Sequence, residues 1–592
     1  MKRVDSFNKK ECLSLVCCAL VLLLLAGALW MRTPYGFDWT DEPYYTALPY
    51  RLALGDRPFV DAWEVHQLSA LIALLFLRLY LLINGGSTVG VILYFRYVLI
   101  AVQMFIAFYG FFVIRKRSGN LPGLLVSALL LLYAHYGINS FSYNMMAPLF
   151  AALSGLLLFD AFDCGGCPVK LFLSGAVYGL SVMAQPYFIV SLPVWIVFWA
   201  LICLSKNEMF IKTRTLLSKK LGGRGAVRGL LVFTAGGLFL LLIVAGYVFA
   251  QSSLSEIAVG IAGMLGDPDH EPINAVRVLG SYINGVRVLF GPCSYLALSL
   301  CLFGAGVYFV KDEAKRQKMR RAGAYMAGLL VLLATVWVLF YQYPDYHKIN
   351  LAAMIPALAV PGLYFCSGKK PDRSLLLFLL GCALSLAVQL GSNTRIRASS
   401  GALLPASLGG VLYLFDGGRA LFPERKAAVR YMRLCACSCA CAAALMGGLR
   451  MVTTYREDPI DQLDTRISQG PGAGIVTTGH RAEQYDRLYA DITENAPDKG
   501  RILVTNLMPA GYLMTELPPA APSVFNMMVD APWLAAYYEA LPDHAPAYVF
   551  AVGEEYGESN DGSLAGTETL TGENGWRNRR LTSGTAFLCD KD

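Results

Sequence analysis

The chain has 592 residues, 56% of them hydrophobic and 16% charged, with a formal net charge of +8. This composition excludes a soluble enzyme, because apolar runs long enough to cross about 30 Å of hydrocarbon recur through the first 450 residues. From Met451 to Asp592 there are 21 acidic and 10 basic residues, so an acidic tail follows a basic, membrane-embedded body. The basic residues collect in loops between apolar runs, which indicates membrane topology and argues against nucleic-acid binding.

The N-terminal segment predicts an uncleaved first membrane span. Met1–Lys10 carries four basic residues and one acidic residue, and the apolar stretch Cys12–Trp30 is too long for a signal peptide. With the N-terminus in the cytoplasm, we predict a multi-pass protein of the cell (plasma) membrane with about 13 transmembrane helices. These spans lie near residues 11–31, 90–114, 119–135, 145–162, 170–184, 187–204, 229–250, 291–310, 322–341, 349–366, 374–391, 400–415 and 434–451.

The positions of lysine and arginine set the orientation. The cytoplasmic loops are then basic throughout, as the positive-inside rule requires: Arg115–Arg117, Lys206–Arg228, Lys311–Arg321, Lys369–Arg373 and Arg419–Arg433. The apolar segment Leu68–Ile83 would invert every later loop if it crossed, so we predict an interfacial or re-entrant helix on the outer side. A first outer loop over residues 32–89 results, which is too long for a simple connection.

Two domains are predicted. A transmembrane domain covers residues 1–451, and a soluble extracytoplasmic α/β domain covers residues 452–592, outside the membrane. In this tail, Arg501–Thr505 and Ala547–Ala551 have the composition of short strands, and Trp533–Leu541 that of a helix between them. The tail contains no nucleotide fingerprint or glycine-rich phosphate loop.

The cysteines do not predict disulfides, and no metal site or cofactor is certain. Most of the 15 cysteines lie within spans, where cysteine behaves as a small apolar residue, and the tail has only Cys589. Cys164 and Cys167 have redox or metal spacing, but no second pair or histidine lies nearby in the sequence. The oxygen-rich segment Asp267–Glu271 could bind a divalent cation, although a solvated polar loop is the commoner interpretation.

Two adjacent carboxylates, Asp41 and Glu42, open the outer loop soon after the first span. An acidic pair held at a membrane surface can accept a proton from a nucleophile as a general base. Neighbouring acids can also split their pKa values, which would leave the two carboxylates with different roles. The alternative is an ordinary solvated pair of loop acids.

The outer loop resembles a known arrangement. It reads Asp41-Glu42-Pro43-Tyr44-Tyr45, then Leu54-Gly55-Asp56-Arg57-Pro58, Asp61 and His66-Gln67-Leu68. This order is similar to the first outer loop of the GT-C membrane glycosyltransferases, specifically the protein O-mannosyltransferase and aminoarabinose transferase group. The resemblance implies a GT-C fold and the transfer of a hexose or pentose from a polyprenyl-phosphate donor. The acceptor would be a glycan, lipid or protein on the outer face of the membrane.

The resemblance also implies roles for individual residues. Asp41 is the expected base, and Glu42 is its orienting partner or the alternative base. The acceptor pocket is expected to contain Tyr44, Tyr45, Asp61, His66 and Asn144. Guanidinium and other cations in two later outer loops suit a phosphate, although lipid headgroups could engage them instead. The residues expected to bind the donor phosphate are His347, Lys348, Arg395 and Arg397.

The chain departs from the family pattern at three places. Tyr143-Asn144 stands where the second outer loop often has an aspartate, and Gln185-Pro186 stands where a lysine is common. Leu68-Ser69 replaces the pair of prolines after His66. These departures leave the fold expectation intact but leave the sugar, the acceptor and the activity of this member open.

Two alternatives to a transferase remain. A transporter or flippase of lipid-linked glycans would place charges inside mid-span and often shows repeated halves, whereas these spans contain few charges, mainly Arg78 and Arg96. A polymerase or ligase of preassembled glycans usually has its large outer loop late in the chain, and here that loop comes first.

Overall fold

Helices dominate the chain. The computed structural model describes residues 9–266, 275–368, 372–391, 396–505, 507–525, 531–552 and 577–589. The helices are α1 (Lys9–Arg32), α2 (Asp41–Ala53), α3 (Gln67–Ile83), α4 (Val91–Ser118), α5 (Asn120–Leu132), α6 (Tyr143–Asp163), α7 (Pro168–Ala184), α8 (Leu192–Leu204), α9 (Glu208–Leu221), α10 (Gly225–Phe249), α11 (Leu254–Leu265), α12 (Ala275–Phe290), α13 (Pro292–Val307), α14 (Glu313–Phe340), α15 (Asp345–Ala352), α16 (Val360–Cys366), α17 (Ser374–Gly391), α18 (Ile396–Ser399), α19 (Leu404–Leu412), α20 (Arg425–Val452), α21 (Gly479–Asn495), α22 (Pro509–Tyr512) and α23 (Ala531–Ala540). The strands are β1 (Thr465–Arg466), β2 (Val476–Thr477), β3 (Ile502–Val504), β4 (Tyr548–Ala551), β5 (Arg577–Arg580) and β6 (Ala586–Cys589).

Within the described ranges, nine helical segments are long and apolar enough to cross a membrane. They are Glu11–Arg32, Val91–Ser118, Tyr143–Asp163, Pro186–Leu204, Gly225–Phe249, Glu313–Phe340, Ser374–Gly391, Ile396–Gly417 and Arg425–Val452. Two bent pairs raise the number to 11 if each counts as one span: Val276–Phe290 with Pro292–Val307, and Asp345–Ala352 with Ile355–Cys366. The chain is therefore a polytopic α-helical membrane protein, as predicted.

The expected number of about 13 spans is higher than the structure supports by helix length. The spans expected near 119–135 and 170–184 correspond to α5 and α7, which have only 13 and 17 residues. At 1.5 Å per residue, α5 is about 20 Å long, shorter than the hydrocarbon core. The span expected near 291–310 is one arm of a bent pair, because the chain turns by 112° between α12 and α13.

Glycine allows a close contact between two helices of the membrane body. A Cβ atom on Gly175 of α7 would lie 1.8 Å from the carbonyl oxygen of Phe233 in α10. A Cβ atom on Gly236 of α10 would lie 2.0 Å from the carbonyl oxygen of Phe172 in α7. Small residues at such positions let helix backbones touch, which is the main source of helix association where water supplies no hydrophobic drive.

Helix α3 occupies the segment that we expect to lie on the outer side. Its Ala70, Ala73 and Leu77 are buried, whereas Leu75 and Leu82 are more than two-thirds exposed. An apolar stripe exposed on one side of a 17-residue helix suits contact with lipid. Its interfacial placement stays a prediction.

The tail contains a four-stranded mixed sheet in the order β3-β4-β6-β5. Strand β3 pairs in parallel with β4, with Leu503 opposite Val549, and β6 pairs antiparallel with both β4 and β5. Helix α23 lies between β3 and β4 in the sequence, as a parallel pair requires a crossover connection. Both strands and the intervening helix expected from the sequence are present.

A fully buried arginine joins the outer loop to the tail. The Arg51 guanidinium binds Asp56 Oδ2 at 2.9 Å and donates to the carbonyl oxygens of Asp61 at 2.6 Å and Ala521 at 3.0 Å. From the tail, Arg501 Nη2 binds the other oxygen of Asp56 at 2.9 Å. Because a buried charge must keep its partners, this network ties the two segments into one packed unit.

Replacing Arg51 tests this connection. We expect Arg51→Met to lower the free energy of unfolding by about 3–5 kcal/mol, because it leaves Asp56 Oδ2 and several carbonyl oxygens buried without their donor. Thermal unfolding of the purified protein measures the change, and Arg487→Met, which removes an exposed arginine of α21, is the matched control. Equal unfolding temperatures for the two variants would contradict the role of Arg51.

Candidate active site

The start of α2 is fixed by Asp38. Its Oδ1 accepts the backbone N–H and the hydroxyl of Thr40, both at 3.2 Å, and its Oδ2 accepts the N–H of Glu42 at 2.9 Å. The first N–H groups of a helix have no partner inside the helix, and a carboxylate just before the helix satisfies them. Asp38 therefore sets the position of Asp41, the first residue of α2.

Glu42 is buried in a bidentate ion pair. Arg96 of α4 donates from Nε to Oε1 and from Nη2 to Oε2, each at 2.6 Å. The same guanidinium also donates to the carbonyl oxygens of Thr33 at 2.8 Å and Gly36 at 2.6 Å. Both oxygens of Glu42 are thus engaged, an arrangement that suits the orienting role better than that of the base.

Asp41 is the more accessible of the two carboxylates. Its Oδ2 accepts a hydrogen bond from the Tyr455 hydroxyl at 2.7 Å and faces Arg456 Nη1 at 3.1 Å. Its side chain is 22% exposed, and Oδ1 accepts no hydrogen bond from any part of the chain that the structure describes. One carboxylate oxygen is thus held in place while the other can receive a proton.

Aromatic rings surround this carboxylate on the side of α15. Tyr455 stacks on Tyr136 with ring centroids 5.9 Å apart and meets Tyr346 edge-on at 5.5 Å. His347 lies 4.4 Å from Tyr346 and 5.2 Å from Tyr136. Tyr136 is within electrostatic reach of Asp41, which joins these rings to the carboxylate.

A guanidinium completes the group. Arg397 lies over the ring of Tyr343, with Cζ 4.8 Å from the centroid, and its charge reaches both Tyr136 and His347. We call the set the Asp41 cluster; it comprises Asp41, Tyr136, Tyr346, His347, Arg397, Tyr455 and Arg456. It combines a carboxylate, two guanidiniums and stacked rings, a set that can accept a proton, bind an anion and contact a sugar ring.

Two members of the Asp41 cluster have strained backbones. Tyr136 has φ of 54° and Arg456 has φ of 50°, in the left-handed region that side chains with a Cβ avoid. The N–H of Tyr136 donates to Asn350 Oδ1 at 2.9 Å, and Arg456 Nη1 donates to the Thr40 hydroxyl at 2.6 Å. Strain of this kind persists where the surroundings hold it and often accompanies a functional site.

Three of the expected acceptor residues lie together. His66 stacks on Tyr143 with centroids 3.6 Å apart, and Tyr45 meets the Tyr143 ring edge-on at 5.5 Å. Asn144 accepts a hydrogen bond from Gln185 at 2.9 Å. Asp41 is within electrostatic reach of Tyr45. Tyr45, His66 and Asn144 therefore form a wall next to the Asp41 cluster.

Three other expected site residues have partners outside the Asp41 cluster. Tyr44 meets Tyr45 edge-on at 5.7 Å and packs on Phe525 of the tail at 5.0 Å. Asp61 accepts the Arg57 backbone N–H at 2.7 Å and its guanidinium at 3.1 Å. Lys348 pairs with Asp345 at 3.0 Å and donates to the carbonyl oxygen at the end of α14. Across the described ranges, no side-chain hydrogen bond, ion pair or ring contact joins any of these three to the Asp41 cluster, and their roles stay predictions.

Two predictions fall outside the described residues. Arg395, expected to bind phosphate beside Arg397, and the segment Asp267–Glu271, expected as a possible site for a divalent cation, belong to residues that the structure does not describe. Among the residues it does describe, no group of three or more histidine, cysteine or acidic side chains could hold a metal ion. A divalent cation stays an open expectation.

Sequence reasoning missed Tyr455, Arg456, Tyr136 and Asp38. Tyr455 and Arg456 follow directly on the end of α20, the last span, and return to the side of the membrane where Asp41 lies. Their position just after a membrane span could have identified them, because Asp41 was identified by its own position just after the first span. Tyr136 precedes the outer segment Tyr143-Asn144 and offered no comparable signal.

No family model and no curated protein matches the chain. Among solved structures, the chain is similar to the oligosaccharyltransferase of Archaeoglobus fulgidus, tethered through a disulfide bond to an acceptor peptide that contains the NVT sequon. The alignment covers 97% of this chain and 74% of that chain, with 11% sequence identity and a TM-score of 0.40. The contacts around Asp41, and not a relative, therefore carry the functional inference.

The Asp38 carboxyl gives the site a measurable pH dependence. Burial, with the charge of Asp41 as a second cause, raises the pKa of Asp38 from 3.8 to about 7. Between these values the folded protein binds more protons than the unfolded chain, so this residue makes the free energy of unfolding fall as pH rises through that window. We expect Asp38→Asn to remove the contribution of this residue to the slope of the free energy of unfolding against pH.

Thermal unfolding of the wild type and of Asp38→Asn across this pH window measures the difference directly. The exposed tail residue Asp498 supplies the matched control, because Asp498→Asn removes a carboxyl without removing a buried one. If the wild type and Asp38→Asn have parallel pH profiles, Asp38 does not titrate in this window.

Proposed function

We propose that this protein is a membrane glycosyltransferase that moves a sugar from a polyprenyl-phosphate donor to an acceptor at the non-cytoplasmic face. The observation that carries the proposal is the Asp41 carboxylate, which is held by Tyr455 and Arg456 and is open at Oδ1 to the described surroundings. Arg397 and the aromatic rings belong to the Asp41 cluster, and Tyr45, His66 and Asn144 lie next to it. A GT-C fold of the mannosyltransferase-like group is part of this proposal.

The chemistry needs two charged functions in one place. A lipid-phosphate sugar carries its own leaving group, so the enzyme must take a proton from the acceptor nucleophile and stabilise the departing phosphate. Asp41 Oδ1 is the proposed proton acceptor. Arg397 and Arg456 are the proposed phosphate ligands, since a guanidinium can donate two parallel hydrogen bonds to a phosphate. Glu42 keeps Asp41 in place through the pair with Arg96.

The proposed orientation follows from helix length and charge. Helix α4 has 28 residues, so Arg96, near its start, and Arg117, near its end, lie roughly 30 Å apart, one hydrocarbon thickness. Arg96 contacts Glu42 at one face, and Arg115–Arg117 lies at the other. The positive-inside rule favours a cytoplasmic location for the face with Arg115–Arg117, which supports the proposal that Asp41 and the tail lie outside.

Replacing Asp41 tests the proposed base. Purified protein is given radiolabelled polyprenyl-phosphate sugars and candidate acceptors, and the label transferred is measured. We expect Asp41→Asn to lower the rate of transfer roughly 10²–10⁴-fold, because general-base catalysis contributes about that much. Asp464→Asn, at an exposed carboxylate of the tail, is the matched control and should retain the wild-type rate.

The results separate the proposal from its alternatives. Equal transfer by the wild type and Asp41→Asn would rule out Asp41 as the base. Movement of an intact lipid-linked glycan across liposomes, without any covalent change, would identify a transporter or flippase instead. Joining of preassembled glycans, without use of a single-sugar donor, would identify a polymerase or ligase.

A pair of cation variants tests the phosphate site. Arg397 belongs to the Asp41 cluster, whereas Lys348 lies in the neighbouring helix and is paired with Asp345. We expect Arg397→Gln to raise the KM for the lipid donor roughly tenfold to a hundredfold, because a hydrogen bond to a charged group contributes about 1.5–3 kcal/mol. Lys348→Gln serves as the control, with a smaller rise expected. A larger effect at Lys348 would reverse the assignment.

A further inference from the structure

A basic cavity lies at the membrane face opposite the Asp41 cluster. It has a volume of about 480 Å³ and lies between α20, the segment that precedes α20, and the start of α5. Three arginines line it, together with apolar side chains: Arg419, Arg425, Arg433, Phe422, Val429 and Met432. This volume lies within the range of small-molecule binding sites.

The geometry of α20 places this cavity at the far side of the membrane. Helix α20 has 28 residues and is about 42 Å long. Arg425 is its first residue, and Tyr455, which contacts Asp41, lies three residues beyond its last. The cavity therefore lies at the face that carries Arg117, which pairs with Asp372 at 3.0 Å.

The side-chain guanidinium groups of Arg419, Arg425 and Arg433 make neither an ion pair nor a hydrogen bond with any residue that the structure describes. Arg419 is within electrostatic reach of Asp416. The nearby acids have other partners: Asp416 accepts the Ser118 hydroxyl at 2.6 Å, and Glu424 pairs with Arg321 at 3.3 Å. The charge of these guanidiniums is thus available to an anion.

Helical spacing places the basic and apolar groups on one side of α20. These residues all lie on one face of the helix. Val429, Met432 and Arg433 lie four, seven and eight residues after Arg425, and Met432 lies three residues after Val429. Two further basic residues, Lys426 and Arg430, are exposed but do not line the cavity. The cavity is therefore a distinct group of charges and not the basic surface as a whole.

The apolar wall of the cavity continues onto the outer surface of the protein. Leu121 of α5 and Val429 are each 42% exposed although they lie at the end of apolar, membrane-type helices. Side chains of this kind suit acyl chains, and guanidiniums between membrane helices suit phosphate headgroups at the cytoplasmic side. A soluble anion would make use of the charges but not of the apolar wall.

We infer that this cavity binds the phosphate headgroup of an anionic phospholipid in the leaflet opposite the Asp41 cluster. Arg419, Arg425 and Arg433 hold the phosphate oxygens, and Val429, Met432 and Leu121 contact the first part of the acyl chains. The site is separate from the proposed transfer reaction and does not depend on it.

The experiment compares two double variants of the same helix. Short-chain phosphatidylglycerol is titrated into the purified full-length protein, and native mass spectrometry measures the bound fraction. We expect Arg425→Gln/Arg433→Gln to weaken binding by roughly tenfold or more, since each basic residue near an anionic headgroup contributes about 1 kcal/mol. Lys426→Gln/Arg430→Gln removes the same charge outside the cavity and should leave binding near the wild-type value.

Three results would overturn the inference. Equal losses in the two double variants would indicate general surface attraction, and an unchanged affinity in Arg425→Gln/Arg433→Gln would exclude the site. Inorganic phosphate that competes for the arginines with the affinity of the lipid would identify a soluble anion as the ligand. Arg425→Lys/Arg433→Lys, which keeps both charges, controls for folding and should recover part of the affinity.

Discussion

The buried pair between Arg96 and Glu42 is the contact on which the rest of the site depends. Five N–H···O bonds run from the Arg96 guanidinium to the Glu42 carboxylate and to the carbonyl oxygens of Thr33, Tyr35 and Gly36. They connect α4 to the exit of α1 and to the first turn of α2. Because a charge buried at this depth costs several kcal/mol unless it is paired, the loop cannot move away from α4 without a large penalty. Asp41 precedes Glu42 in the first turn of α2, so the pair with Arg96 also restricts the position of Asp41.

A second buried and paired arginine, Arg51, links α2 to the tail. Arg51 lies near the end of α2, whereas Glu42 lies near its start. The Arg51 guanidinium donates hydrogen bonds to Asp56 and to backbone carbonyl oxygens of the tail, and Arg501 binds the same Asp56. Helix α2 is thus anchored to the membrane body at its start and to the tail at its end. The tail is not a domain on a flexible linker: it forms one wall of the unit that presents the Asp41 cluster.

The sequence predicted those parts of the fold and site that depend on local composition. Nine apolar segments and the two tail strands follow from hydropathy and periodicity. The length of α5 could not be predicted in this way. The apolar sequence continues beyond Leu132, where the helix ends, and Tyr133 already has an extended backbone. The pairing of Glu42 with Arg96 spans 54 residues, and that of Asp41 with Tyr455 spans 414, so no local pattern encodes either one. Arg96 was visible only as an unusual charge within a span.

The contact between Asp41 and Tyr455 also has a consequence for biosynthesis. Asp41 follows α1, the first membrane span, whereas Tyr455 follows α20, the last span, and is synthesised 414 residues later. A nascent polypeptide therefore carries Asp41 long before it carries the groups that hold this carboxylate. The centre becomes complete only when both ends of the membrane body have met, so a chain arrested before that moment exposes an acid without a framework around it.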